Sequence, residues 1–353
     1  MRVMSHLLKP LWSLHLAVLL GACAIAPRSA EPSSSVTERP AECQMEQTDA
    51  AWLAAAIANW RVVAREKLLI SPDPLPMMIM TDAGCQYASR NLTGGRIRWL
   101  GKRHNGSISL PDGSSVPLGV TAFAKPLDER EDGFFVMALP SVWRSAGVES
   151  GIGLERLMDG VLLHELMHAY QFYYANPRLA ELTRRYGLPD TIGDDSLQET
   201  FESDSAYVSA YEAERNLLFE AAGAPDHNQA CELASRALNK MHERRSRWFT
   251  GESAWADLDE IFLLMEGVGQ WAMYAWYVDP RGGALDRQTA IHELRRGGRY
   301  WTQDAGLALF LVIDRLLPGW QRLAFARPPV TGAALLAQAV DKCPAGQLSE
   351  EPP

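Results

Sequence analysis

The spacing of apolar positions along this chain divides it into stretches of different texture. Residues 11–20 form one short apolar run. From Asp49 to Leu69, Trp52, Leu53, Ile57, Trp60, Val63 and Leu68 recur near helical spacing, which predicts an amphipathic helix with its aromatic side chains in the core. Between Leu75 and Pro140 the texture shortens. Met77-Met78-Ile79-Met80 reads as a strand, Pro111-Asp112-Gly113 as a turn and Phe134–Leu139 as a second short apolar run, so this part predicts a small sheet. Past Ser145 the helical period returns, over Leu154–Tyr174 with a stop at Asn176-Pro177, Ser196–Ala222, Asn228–Arg247, Asp257–Val278 and Gly306–Leu317. The expected fold is α+β and predominantly helical: one domain over residues 43–345, with its sheet at about 70–140 and its helices at about 150–320. Gly160 costs its helix about 1 kcal/mol against alanine, which points to close approach of another backbone.

Chemistry enters with Val161–Tyr170, VLLHELMHAY. On a helix, His164 and His168 stand on one face, so their imidazoles converge on a single cation, and Glu165 lies one step round. Zinc lowers the pKa of a bound water, and a neighbouring carboxylate then takes its proton. Two histidines need a third protein ligand. In Ile261–Val278, IFLLMEGVGQWAMYAWYV, Glu266 is the one charged side chain, and a carboxylate set among apolar positions must be neutralised, paired or bound to a cation. Glu266 is therefore the expected third ligand of one Zn2+. Glu214 is the alternative, because Tyr207, Tyr211 and Leu218 share its face and point it inward; that placement also suits a carboxylate that orients a ligand histidine, or half of an ion pair with Arg244, Arg245 or Arg247.

The His-Glu-x-x-His helix and the Glu266-Gly267 pair resemble the zincin metallopeptidases of the gluzincin type, locally over residues 154–175 and near 266. The resemblance implies a zincin-like fold, a peptide or protein substrate, Glu165 as the catalytic base, and a glycine that lets the glutamate helix pack against the motif helix. It also implies a sheet edge that pairs with extended substrate, for which Phe134–Pro140 is the candidate, with an internal strand as the other reading of that run. The 98 residues from His168 to Glu266 exceed the spacing in thermolysin-like enzymes and imply inserted helices. A donor for the tetrahedral oxyanion is sought in His292, Arg299 and Tyr300, within a segment that reads as a loop over a cleft, or in His227. The same residues would also suit a non-catalytic envelope scaffold of this fold, or a hydrolase of non-peptide substrates.

The amino terminus sets location. Arg2 and Lys9 precede the apolar run, and Leu20-Gly21-Ala22-Cys23 follows it. This reads as a secretion signal over residues 1–22 and resembles the lipobox of bacterial lipoproteins, with Cys23 lipidated and Ala24 directing the chain to the outer membrane. Residues 23–42 read as a flexible tether and 346–353 as a disordered tail. Cys43, Cys85, Cys231 and Cys343 remain, an even number for an exported chain. Two disulfides are expected, with all three pairings open. Residues 1–22 hold two basic and no acidic side chains, so their removal takes the net charge from −9 to −11, which argues against a nucleic-acid partner. Nothing in the chain sets an oligomeric state.

Overall fold

The computed structural model describes residues 43–127, 133–189, 191–251 and 253–344. The expected signal peptide, Cys23, the tether and the tail 346–353 lie outside them. The order of elements begins with α1 (Gln47–Val62), which runs on through a π-helical stretch at Val63–Leu68. The strands follow: β1 (Met77–Thr81), β2 (Cys85–Leu92), β3 (Arg96–Arg103), β4 (Ser107–Ser109), β5 (Ser115–Pro117), β6 (Ala122–Pro126) and β7 (Gly133–Ala138). The remainder is helical: α2 (Pro140–Ser145), α3 (Leu154–Tyr186), α4 (Ser196–Phe201), α5 (Ser205–Gly223), α6 (His227–Trp248), α7 (Trp255–Val278), α8 (Arg287–Arg295), α9 (Trp301–Leu316), α10 (Gln321–Ala324) and α11 (Gly332–Asp341). The fold is α+β and predominantly helical.

The main sheet has the order β3-β2-β1-β7-β6, with β1 and β7 parallel and the other neighbours antiparallel. Met78, Met80, Phe135 and Met137 face the helices, while Ile79, Phe134 and Val136 face a second layer carrying Ile108 and Leu110 from the β4–β5 hairpin. Burial on both faces is why these strands read as unbroken apolar runs. It also corrects the expected edge. β7 is internal, paired with β1 and β6, and the edge strand beside α3 is β6.

The helical half departs from expectation at three points. Pro177 does not end the motif helix, which continues to Tyr186 and stops at Gly187 in the left-handed conformation. Beyond the proline, Leu179 and Leu182 bury against Ile192, Leu197 and Leu258. Two buried leucines contribute roughly 1.5–3 kcal/mol each, enough to offset the cost of an internal proline, about 3 kcal/mol. The helix expected over Ser196–Ala222 is two helices. Asp204 breaks it by accepting hydrogen bonds from the Ala206 and Tyr207 amides, at 2.9 and 3.1 Å, as the cap of α5. Of the segment expected as a loop, residues 291–295 with His292 end α8, capped by Asp286, and residues 296–300 alone connect α8 to α9.

Both disulfides form, Cys43–Cys85 and Cys231–Cys343. The first ties the residues before α1 to β2, and the second ties α6 to the end of α11.

Candidate metal centre

α3 and α7 pack side by side and place the site between them. α7 is buried nearly all round, and its glycines divide the work of close packing. A Cβ on Gly267 would lie 2.4 Å from the Phe310 ring and 2.9 Å from the Gly306 carbonyl of α9. Gly267 therefore serves the α7–α9 crossing rather than the approach to the motif helix that the zincin resemblance implied. That approach belongs to Gly269, where a Cβ would lie 2.7 Å from His164 Nδ1. Gly160 makes room for the Tyr277 side chain of α7, whose hydroxyl would be 2.3 Å from a Cβ there, and not for a second backbone.

Within this seam His164, His168 and Glu266 converge. His164 Nε2 lies 3.2 Å from Glu266 Oε2, His168 Nε2 lies 3.1 Å from Oε1, and the two Nε2 atoms are 2.7 Å apart. All three side chains are buried, Glu266 at 0% exposure. His168 Nδ1 faces Gln171 Oε1 at 3.3 Å, which places its proton on Nδ1 and leaves the Nε2 lone pair directed into the cluster. Gln171 in turn donates to the Leu264 carbonyl at 3.3 Å and so ties the ligand helix to the glutamate helix. Among the described residues the two imidazoles are the polar side chains that face the Glu266 carboxylate.

Imidazole lone pairs that converge on a buried carboxylate need a cation between them. Without a metal a proton supplies it. Burial opposes a charged imidazole, but the Glu266 carboxylate outweighs burial and pushes His168 up to about 9, while the histidines hold Glu266 well below the usual carboxylate range. Burial, and then the charge on His168, pull His164 down. A zinc ion with bonds of about 2.0–2.1 Å spaces its ligand atoms about 3.3 Å apart. Separations of 2.7–3.2 Å therefore fit three ligands that open slightly around it.

Glu165 is 2% exposed, and its Oε2 has no hydrogen-bond partner. Burial raises its carboxyl to about 7, with the Ala124 amide of β6 favouring the ionised form. Several further groups act on the centre electrostatically, and sequence reasoning passed over them. Asp194 is held well above the usual carboxylate range by burial and by the charges of Glu266 and Asp195. Arg296 acts on His164 and Glu165; it is half-buried, adopts a left-handed backbone at φ 47° and has no carboxylate partner among the described residues. The Tyr174 hydroxyl is buried without a hydrogen-bond partner and feels the Glu266 charge. Tyr174 also walls a cavity of about 560 Å³, lined by Tyr173, Pro177, Ile261, Leu264 and Pro328. Gln171 carried a usable signal, three residues beyond His168 on one helical face; the others lie on different elements or a different face.

The remaining candidates lie elsewhere. Glu214 is buried in an ion pair with Arg244, at 2.7 and 3.2 Å. Arg244 also donates to the Tyr207 hydroxyl at 3.0 Å and reaches Asp259 at 3.3 Å, so this cation is what turns Glu214 inward. Arg244→Met is expected to cost about 3–5 kcal/mol by stranding the buried Glu214 carboxylate, Asp259 keeping Arg245, and is read as a lower denaturation midpoint, with much of the loss recovered in Arg244→Met/Glu214→Leu. His292 is exposed on α8, and Arg299 is exposed with its carbonyl accepting from Gln198. Tyr300 precedes α9, and His227 sits beside the Cys231–Cys343 disulfide.

Gly269→Ala should leave the fold intact yet displace the His164 ring. Zinc affinity is expected to fall about 10–100-fold by competition with a chelator, the size of effect that follows from disturbing a ligand's support. Unchanged affinity would mean that His164 needs no such room. Compared with known protein families, characterised proteins and solved structures, the chain matches none of them.

Proposed function

We propose that this chain is a zinc-dependent metallopeptidase of the zincin kind, exported to the bacterial envelope and anchored by lipid at Cys23. The observation that carries the reading is the convergence of His164, His168 and Glu266, whose ligand atoms all lie within 4.8 Å of one another, with Glu165 buried on the same helix. Bound there, zinc would supply Lewis-acid polarisation of a carbonyl and lower the pKa of water towards neutrality.

The chain's own residues supply the rest. Glu165 accepts the proton of the attacking water, a role suited to a carboxyl raised towards neutral pH by burial. Gln171 holds the His168 ring in one tautomer. We assign the task of favouring negative charge on a carbonyl oxygen to the Tyr174 hydroxyl, which is buried and unpartnered among the described residues, and to the Arg296 guanidinium, whose charge acts on Glu165. Among the described residues β6 pairs only with β7, so its outer backbone groups are suited to an extended peptide.

The test is the metal content of the purified chain, followed by a peptide-library assay. One zinc per chain with zinc-dependent cleavage is expected. No zinc, even after metal is added back, would leave the cluster as a His168–Glu266 ion pair and end the peptidase reading.

A further inference from the structure

We propose that His227, Cys231 and Cys343 form a second, redox-gated metal site, which takes a thiophilic divalent cation of the zinc class when the Cys231–Cys343 disulfide is reduced. The inference is independent of the peptidase reading.

The placement comes from two helices. His227 is the first residue of α6 and Cys231 stands four residues later on the same face, while Cys343 arrives from the end of α11. His227 Nε2 lies 3.6 Å from Cys231 Sγ, and the three donor atoms are all within 4.8 Å of one another. A tetrahedral zinc with bonds of about 2.0 Å to nitrogen and 2.3 Å to sulfur sets those two atoms about 3.5 Å apart and two thiolates about 3.8 Å apart. The imidazole already stands at the first spacing. The second requires the sulfurs to separate from bonding distance, and the Cα separation of 5.9 Å accommodates that with small side-chain rotations.

Reduction need not scatter the ligands. Leu335, Leu336 and Ala339 hold α11 in the core, and Ala230, Ala234 and Ala237 hold α6. His227 is exposed and Cys343 half-buried, so a reductant and a cation have access from solvent. The other disulfide differs. Cys43 packs under Gly101, where a Cβ would lie 2.6 Å from the Cys43 Cβ, and among the described residues no histidine or carboxylate joins Cys43 and Cys85 in a three-ligand group. A dithiol reductant supplies two electrons and two protons, becoming a disulfide as Cys231 and Cys343 become thiols. Cation binding then releases the two thiol protons.

The experiment uses the full-length chain carrying Cys23→Ser, reduced with a water-soluble phosphine, which becomes the phosphine oxide, and titrated with Co2+ under anaerobic conditions. The reduced protein should show a thiolate-to-cobalt charge-transfer band whose final intensity corresponds to one thiolate-bound cobalt per chain, in addition to any cobalt held between α3 and α7. The oxidised protein should show none. His227→Ala should weaken cobalt binding at this band at least tenfold. His164→Ala should leave it unchanged, because the centre between α3 and α7 contains no thiol, so failure here and failure of the peptidase reading are distinguishable. The proposal is overturned by absence of the band in reduced protein, by equal affinity in His227→Ala, by persistence of the band in Cys231→Ser/Cys343→Ser, or by loss of helical circular dichroism on reduction.

Discussion

Glu165→Gln is expected to retain one zinc per chain and to lose about 10²–10⁴-fold in kcat/KM on whichever peptide the wild type cleaves best. The substitution preserves volume and an oxygen for the Ala124 amide, and it removes only the capacity to take a proton. Glu165 is not among the three converging ligands, so metal content should not follow activity. Measured together by elemental analysis and peptide cleavage, zinc lost along with activity would contradict the role assigned to it. The pH profile carries the same logic. Burial raises Glu165 to about 7, and its protonated form cannot accept, so wild-type activity should fall as pH drops through the folded-state value; a bound cation moves that acid limb lower.

Glu266→Ala is expected to abolish stoichiometric zinc while the protein stays folded, a loss of affinity beyond roughly 100-fold, because an inner ligand does more than the outer partners whose removal costs 10–100-fold. Glu214→Ala should do the opposite. It takes from the buried Arg244 its nearer carboxylate, leaving Asp259 at 3.3 Å, and so lowers stability, but leaves zinc content untouched. Measuring zinc and the denaturation midpoint on both proteins separates the two carboxylates. Zinc lost with Glu214→Ala and kept with Glu266→Ala would reverse the assignment.

Both carboxylates interrupt apolar helical faces, and the pattern alone states only that each needs a partner. Which partner each finds depends on residues distant in sequence. Glu266 meets histidines about a hundred positions earlier, and Glu214 meets Arg244, thirty positions later. The same division runs through the fold. Burial on two faces hid which apolar strand is the edge, since β7 and β6 differ in their neighbours and not in their period. Pro177 carried a valid local stop signal, overridden by leucines that bury beyond it. Four cysteines permit three pairings, and only the approach of β2 to the residues before α1, and of α11 to α6, selects one.

Legible in the chain were therefore local features: the helical period that sets His164, Glu165 and His168 on adjacent faces, the helix over Asp257–Val278 with Glu266 the one charge in its apolar run from Ile261, and the succession of a sheet region and a helical region. These rest on spacings of one to four residues, which backbone geometry converts directly into direction. Packing between distant elements is what makes Gln171 fix His168, gives Gly269 rather than Gly267 the task of making room for His164, and brings the charges of Arg296 and Asp194 and the Tyr174 hydroxyl to bear on the centre. Those choices depend on how separate elements pack, and packing joins residues whose distance along the chain carries no period to read.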